Sequence, residues 1–382
     1  MPWKETSVMD ERRKFVGEFQ RGLYTMTELC DRHGVSRKTG YKWLDRFEDH
    51  GAPGLQDLPH DAHSMPHVSD PELVEVLLQC RRQHPTWGPR KLLRILEDRH
   101  PAADWPAAST VGDILKRNGL VVPRRRRSKL THPGRPTTPF LGPNDIWAAD
   151  FKGEFRTEDG VYCYPLTVTD GFSRYLLGCK GLASTAGDGV QPVFKRLFRE
   201  HGLPAAILTD NGPPFASVAL HRLSRLSVWW IKLGIQPLLI EPGHPEQNGR
   251  HERMHRTLKK ETTKPPKAHM AAQQREFNRF RTEYNEVRPH ESLGQETPAS
   301  CYQASQRPYP EHLDAFEYPR HFKVRKVSGS GSIRWGNYPL CVSRTLIGEH
   351  VGFEEIDDGI FSLFFCNVLL GRFDTKEWKL HG

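Results

Sequence analysis

From residue 144 the chain follows a pattern that few folds accommodate: three β-type runs in succession, then helix, strand, helix, strand and helix. DIWAADFKGEF, VYCYPLTVTD and RYLLGCKGL carry the branched and aromatic side chains of strands. GDGVQPVFKRLFREHG has amphipathic helical spacing, PAAILTD is a buried strand, ASVALHRLSRLSVWWIKLG is helical, IQPLLIE is a strand and HPEQNGRHERMHRTLKKET a helix. A last helix, AAQQREFNRFRTEYNEV at 271–287, precedes a Pro-rich stretch. This order predicts a mixed sheet flanked by helices.

Upstream the pattern is purely helical. Residues 9–51 read as three helices, the last two joined through the tight turn GVS. Ser36 is a good N-cap for the basic helix SRKTGYKWLDRF. That is a helix-turn-helix pattern, and it places Ser36, Arg37, Lys38, Thr39 and Lys42 where a major groove would be read. A second helical group contains HPTWGPRKLLRIL and STVGDILKRNGL, either another helix-turn-helix or a spacer bundle. The run VVPRRRRSKLTHPGRPTTP follows, with Arg124, Arg125, Arg126 and Arg127 at its centre; it reads as an extended linker able to track phosphates. After 318, short β-type runs separated by Gly-rich turns predict a small β-barrel. The expected domains are 1–60 (helix-turn-helix), 61–122 (helical, helix-turn-helix-like), 123–143 (basic linker), 144–305 (mixed-sheet core) and 306–382 (β-barrel).

Charge points to a polyanionic partner: 55 Lys and Arg against 46 Asp and Glu leave a net charge of +9. Seven cysteines without a C-x-x-C pair suit a reducing, cytoplasmic setting and give neither a disulfide framework nor a zinc knuckle. The most apolar run, GIFSLFFCNVLLG, is too short to span a bilayer.

Metal-dependent phosphoryl transfer needs carboxylates converging on one point, because Mg²⁺ takes oxygen ligands and two ions about 4 Å apart can clamp the attacking and leaving oxygens. Asp150 lies inside an apolar strand, where a carboxylate is costly unless paired or metal-bound. Asp210 ends the apolar strand AAILTD at the carboxyl edge of the sheet. In EPGHPEQNGRHERMHRTLKKE, Pro245 suits the first helical position and Glu246 the second, with Arg250 and Arg253 on the face of Glu246. Glu252 falls about 120° around the axis, a partner for His255, Arg256 or Lys259. Glu241 sits in a turn near the same sheet edge. Asp170, in VTDGFSRY, reads as a hairpin turn.

Asp150, Asp210 and Glu246 leave 59 and 35 intervening residues, and with WAADFKGEF, TDNGPPF, EPGHPEQNGRHERMHRTLKK and YNEVRPHESLGQETPASCY the chain resembles the transposases of bacterial insertion sequences that share the retroviral integrase core. The resemblance implies a ribonuclease H-like core, two Mg²⁺ ions replaceable by Mn²⁺, and ligation by Asp150, Asp210 and Glu246. It implies cleavage at the element's terminal inverted repeats and joining of the 3′-hydroxyls to target DNA. Arg250, Arg253 and Lys259 would then contact end DNA, at least a dimer would assemble on it, and the protein would associate with the nucleoid. Retroviral integrases carry an N-terminal His/His/Cys/Cys zinc module, and no such spacing occurs here, so no structural zinc is expected. The alternative is a helix-turn-helix regulator with an inactive core, which the presence of all three acids disfavours.

Overall fold

The computed structural model describes residues 7–58, 69–122, 140–217, 220–241, 247 and 249–381. The chain divides into two compact units, Met1–Ser69 and Asp70–Gly382.

The first unit holds α1 (Val8–Gln20), α2 (Met26–His33) and α3 (Arg37–His50). Ser7 and Thr25 open the first two helices with reciprocal capping boxes to Asp10 and Glu28. Gly34 ends α2 in the left-handed conformation, and Ser36 then accepts from the Thr39 N–H at 3.2 Å to start α3. This short turn is the expected helix-turn-helix. Phe15, Leu29, Cys30, Trp43 and Leu55 form its core. The packing is close enough that a Cβ on Gly40 would stand 2.8 Å from the Cys30 sulfur and 2.9 Å from the Phe15 ring.

In the second unit α4 (Pro71–Gln83), α5 (Pro89–Arg99) and α6 (Ala108–Arg117) bury Leu77, Trp87, Leu92, Leu96 and Val111. The sheet contains β1 (Ile146–Phe151), β2 (Phe155–Arg156), β3 (Tyr162–Asp170), β4 (Leu176–Leu182), β5 (Ala206–Thr209) and β6 (Gln236–Leu239). β3 pairs antiparallel with β1, β2 and β4, while β1–β5 and β5–β6 are parallel. The expected mixed sheet is therefore present. Left-handed Gly153 divides the first run into β1 and β2, a break not anticipated from composition.

Strand alternation sends Trp147 and Ala149 to one face of β1, into a core with α7 (Gly187–His201) and α8 (Arg225–Lys232). The opposite face is covered by α9 (Gly249–Thr262) and α10 (Met270–Thr282), through Met254, Leu258, Phe277 and Phe280 against Cys163, Leu176 and Cys179. The helix expected over ASVALHRLSRLSVWWIKLG is α-helical only from Arg225, because Ser224 caps it there and the Ser217 N–H bonds back to Arg222 O. Of the expected helix from His244, the described part starts at Gly249. Asn285 fastens the chain after α10 to the sheet, its amide accepting from Leu176 N (2.8 Å) and donating to Leu176 O (3.1 Å).

After α11 (Pro298–Cys301) come β7 (Lys323–Lys326), β8 (Ser332–Trp335), β9 (Tyr338–Cys341), β10 (His350–Asp357), β11 (Ile360–Phe365), β12 (Val368–Asp374) and β13 (Lys379–His381). They form an open five-stranded sheet, β13-β12-β11-β10-β7, and a separate β8–β9 hairpin. The expected closed barrel is not found among the described residues. Leu223, Val228 and Ile231, from α8 and the residue before its cap, pack into this β core beside Phe353 and Leu363, so a helix covers the face that closure would otherwise bury.

Candidate active site: a carboxylate pair beneath α9

Asp150 is the next residue after Ala148 on the α9-facing side of β1. The parallel register pairs Ala148 with Leu208, so Asp150 and Asp210 each lie two residues further along neighbouring strands. The two expected acids are thus brought to the same carboxyl end of the sheet. Burial first, then the charge of Asp210, raises the Asp150 carboxyl to about 7; Glu252 adds to the rise.

Beneath α9 the support is polar and almost fully buried. Thr167, the cross-strand partner of Asp150, places its Oγ1 2.7 Å from His251 Nε2, 2.6 Å from His255 Nε2 and 3.1 Å from the Asp150 carbonyl oxygen. Thr169 Oγ1 lies 3.0 Å from His251 Nδ1. One proton arrangement satisfies all of these contacts: Thr167 donates to the carbonyl, both imidazoles donate through Nε2–H to Thr167, and Thr169 donates to His251 Nδ1. Burial keeps both rings neutral, His251 lowered to about 3 and His255 to about 2. His255 Nδ1 then presents a lone pair 3.7 Å from Asp150 Oδ2, so this neutral ring adds no counter-charge, while the charge of Lys152 offsets part of the rise. The chemistry left open is cation binding, since a hard divalent ion relieves the repulsion that raises Asp150.

Glu246 lies outside the described residues, as do Arg124, Arg125, Arg126 and Arg127. Among the described residues no three His, Cys, Asp or Glu side chains meet closely enough to hold a metal ion. Glu252, set aside on helical geometry, is exposed in the first turn of α9 and is one of the charges acting on Asp150. It shares the side of α9 with His255, three residues on. Glu241 is exposed after β6, its N–H donating to the Gln247 side chain at 2.9 Å. Asp170 is buried and structural, accepting from Asn144 N, Ser173 N and Ser173 Oγ at 2.6–2.8 Å.

Arg250 donates to Gly171 O at 3.1 Å and stacks over the Phe140 ring, while Arg253 and Lys259 are exposed. In the first unit Ser36, Arg37, Lys38 and Lys42 are exposed at the start of α3, with Thr39 half-buried behind them. Thr167, His251 and His255 were missed in the sequence. Their signal was a His pair at i, i+4 opposite a Thr pair at i, i+2.

Two models described as integrase core domain match residues 141–245 and 233–298, which together take in β1, β5 and α9. Homeodomain-like domain models match residues 6–56 and 39–115. The chain is 29% identical over 228 residues to an uncharacterized 39.2 kDa protein of insertion element IS476 from Xanthomonas euvesicatoria, covering 58% of this chain and 62% of that one. It is 28% identical over 236 residues to an uncharacterized 31.7 kDa protein of insertion element IS407 from Burkholderia multivorans, covering 59% and 78%. The chain thus carries matches to integrase core and homeodomain-like domains and is similar to proteins of bacterial insertion elements. Among solved structures, the simian T-cell lymphotropic virus intasome in complex with a PP2A regulatory subunit matches 77% of this integrase-core chain and 97% of its own, at 18% identity and a TM-score of 0.39. The integrase-core matches span the carboxylate pair, and the homeodomain-like matches take in both helical groups.

Proposed function

We propose that this chain is a DNA transposase that binds the terminal inverted repeats of its own element, cuts the ends and joins their 3′-hydroxyls to target DNA. The observation that supports this reading is the placement of Asp150 and Asp210 at the same carboxyl end of the sheet, with the Asp150 carboxyl raised by burial, then by Asp210 and, less, by Glu252. Asp150 and Asp210 would hold divalent cations, Mg²⁺ or Mn²⁺, which supply nucleophile activation and stabilise the leaving oxygen. The third carboxylate comes from the 246–252 stretch. Glu252 is our choice because its charge acts on Asp150; Glu246, the choice from spacing, is the alternative.

The chain's own residues do the rest. Thr167 and the two neutral imidazoles fix the β1 backbone at Asp150, so the carboxylate is positioned by groups that add no positive charge of their own. Arg250, Arg253 and Lys259 meet backbone phosphates, and α3 enters a major groove with Arg37, Lys38 and Lys42 foremost. The Arg124–Arg127 run tracks phosphates between these contacts. Joining two ends requires at least a dimer on DNA.

The test is incubation with labelled duplex carrying the element's ends, with Mg²⁺, with Mn²⁺ and with chelator. Metal-dependent joined product supports transposition. Hydrolysis without joining indicates a nuclease, and binding without cleavage a regulator.

A further inference from the structure

On the flank of α9 away from Glu252, Arg250, Arg253 and Thr257 line a cleft of about 230 Å³ apart from the carboxylate pair. Helical geometry puts these three within about 60° of one another and at least about 100° from Glu252. Lys91 of α5, Arg174 of the β3–β4 turn, and Arg288 and His290 beyond α10 complete the wall. Five basic side chains meet here from four separate parts of the chain.

Acids offset only part of this charge. Asp170 acts on Arg174, and Glu261 and Glu291 act on Lys91. Glu261 accepts from Arg288 at 2.9 Å and Glu291 from Arg90 at 2.7 Å, so both are already engaged. Burial, then the charge of Arg288, lowers Lys91 to about 8. Burial, then Arg250, lowers Arg174 to about 10. Crowded cations that are partly desolvated stabilise an anion far more than solvated ones do.

Two polar atoms of this wall are buried without a hydrogen-bond partner, Arg174 Nε and His290 Nε2. Arg174 also has φ 65°, a left-handed conformation that is unfavourable for a non-glycine residue. A buried unmade donor and an unfavourable backbone at the same residue need an offset, and an oxyanion in the cleft supplies it.

We propose that this cleft is a phosphate-binding site, built by Lys91, Arg174, Arg250, Arg253 and Arg288, that seats one backbone phosphate of the DNA end. The DNA part rests on the proposed function; the phosphate part does not. The site ties α5 to α9, so the same phosphate would hold the helical group and the catalytic helix in register.

The experiment uses the full chain and the double variant Lys91→Gln/Arg253→Gln, chosen because Arg253 is exposed and neither side chain carries the fold. Thermal melts compare inorganic phosphate with chloride at equal ionic strength. Selective stabilisation of the wild type by phosphate, reduced at least threefold in concentration dependence by the double variant, is expected. Binding to duplex carrying the element's ends is then followed against salt, and the slope of log K on log[salt] should fall by about one in the double variant. If phosphate stabilises neither protein selectively and the slopes agree, the site is wrong. Selective phosphate stabilisation with equal slopes overturns the DNA occupant and leaves a site for free phosphate. If the wild type does not bind duplex at all yet phosphate stabilises it, the proposed function fails and the phosphate site stands.

Discussion

At Asp150 the protein spends stability to hold a charge where charge is unwelcome. Its carboxyl is raised to about 7 by burial and by Asp210, and neutral His255 offers no counter-charge. Thr167 is the residue on which this arrangement turns, because one hydroxyl serves Asp150 and two imidazoles. Thr167→Val keeps the shape and removes the hydroxyl, stranding both buried Nε2–H donors. We expect a loss of about 1–3 kcal/mol in denaturant unfolding and a marked fall in cleavage; unchanged stability would show that the hydroxyl is not the shared acceptor. The two aspartates were legible from their places at strand ends. The threonine and histidines were not, because a buried polar cluster looks like ordinary strand and helix surface until the face that β1 and β3 share is known. Glu252 was set aside because helical angles were counted from Glu246; the structure orients α9 by His251, Met254, His255 and Leu258, all buried, and it is this orientation that makes Glu252 our proposed third carboxylate.

At the scale of elements, local signals gave most of the architecture. The caps at Ser7, Thr25 and Ser36 and the glycine after α2 fix the helix-turn-helix without help from elsewhere. Ser36→Ala should cost about 1 kcal/mol and weaken DNA binding by loosening the start of α3, measured by melting and by titration with duplex; unaltered melting would contradict the cap. Asn285 acts across 109 residues of sequence, which no local pattern reveals. Asn285→Ala should cost about 1–3 kcal/mol, since Leu176 N–H and C=O lose their partner inside the fold, and an exposure-neutral result in hydrogen exchange at Leu176 would count against it. The C-terminal strands were recognisable from their composition, but the closed barrel expected of them is an open sheet among the described residues, because α8 provides cover from a different part of the chain.

For the whole molecule, the α4–α6 group and the integrase core share a unit, joined by His84 to Glu283 at 3.1 Å and Arg94 to Glu296 at 3.2 Å. Composition placed a boundary between them because polar contacts of this separation leave no trace in a linear pattern. The same region sets an acid limit on stability. Burial, then Lys91, lowers His290 to about 3, so the folded chain takes up its proton far later than the unfolded chain, whose imidazole titrates near 6.5. Its contribution is fully present above 6.5 and is lost as pH falls toward 3, at up to about 1.4 kcal/mol per pH unit. In chloride buffer between pH 6.5 and 5.5, melting should drop in the wild type and drop less in His290→Gln; parallel curves would show that His290 is not buried neutral.

We propose that Asp150 and Asp210, with Glu252 of α9, perform strand transfer on DNA ends. The most direct measurement is strand joining on pre-cut labelled ends in Mg²⁺, comparing wild type with Asp150→Asn, Asp210→Asn, Glu252→Gln and Glu246→Gln, each first shown to bind duplex as the wild type does. The account predicts joining reduced at least a hundredfold in the first three and largely retained in Glu246→Gln. Full joining by Asp150→Asn or Asp210→Asn would contradict it, and loss in Glu246→Gln with activity kept in Glu252→Gln would move the third carboxylate back to Glu246.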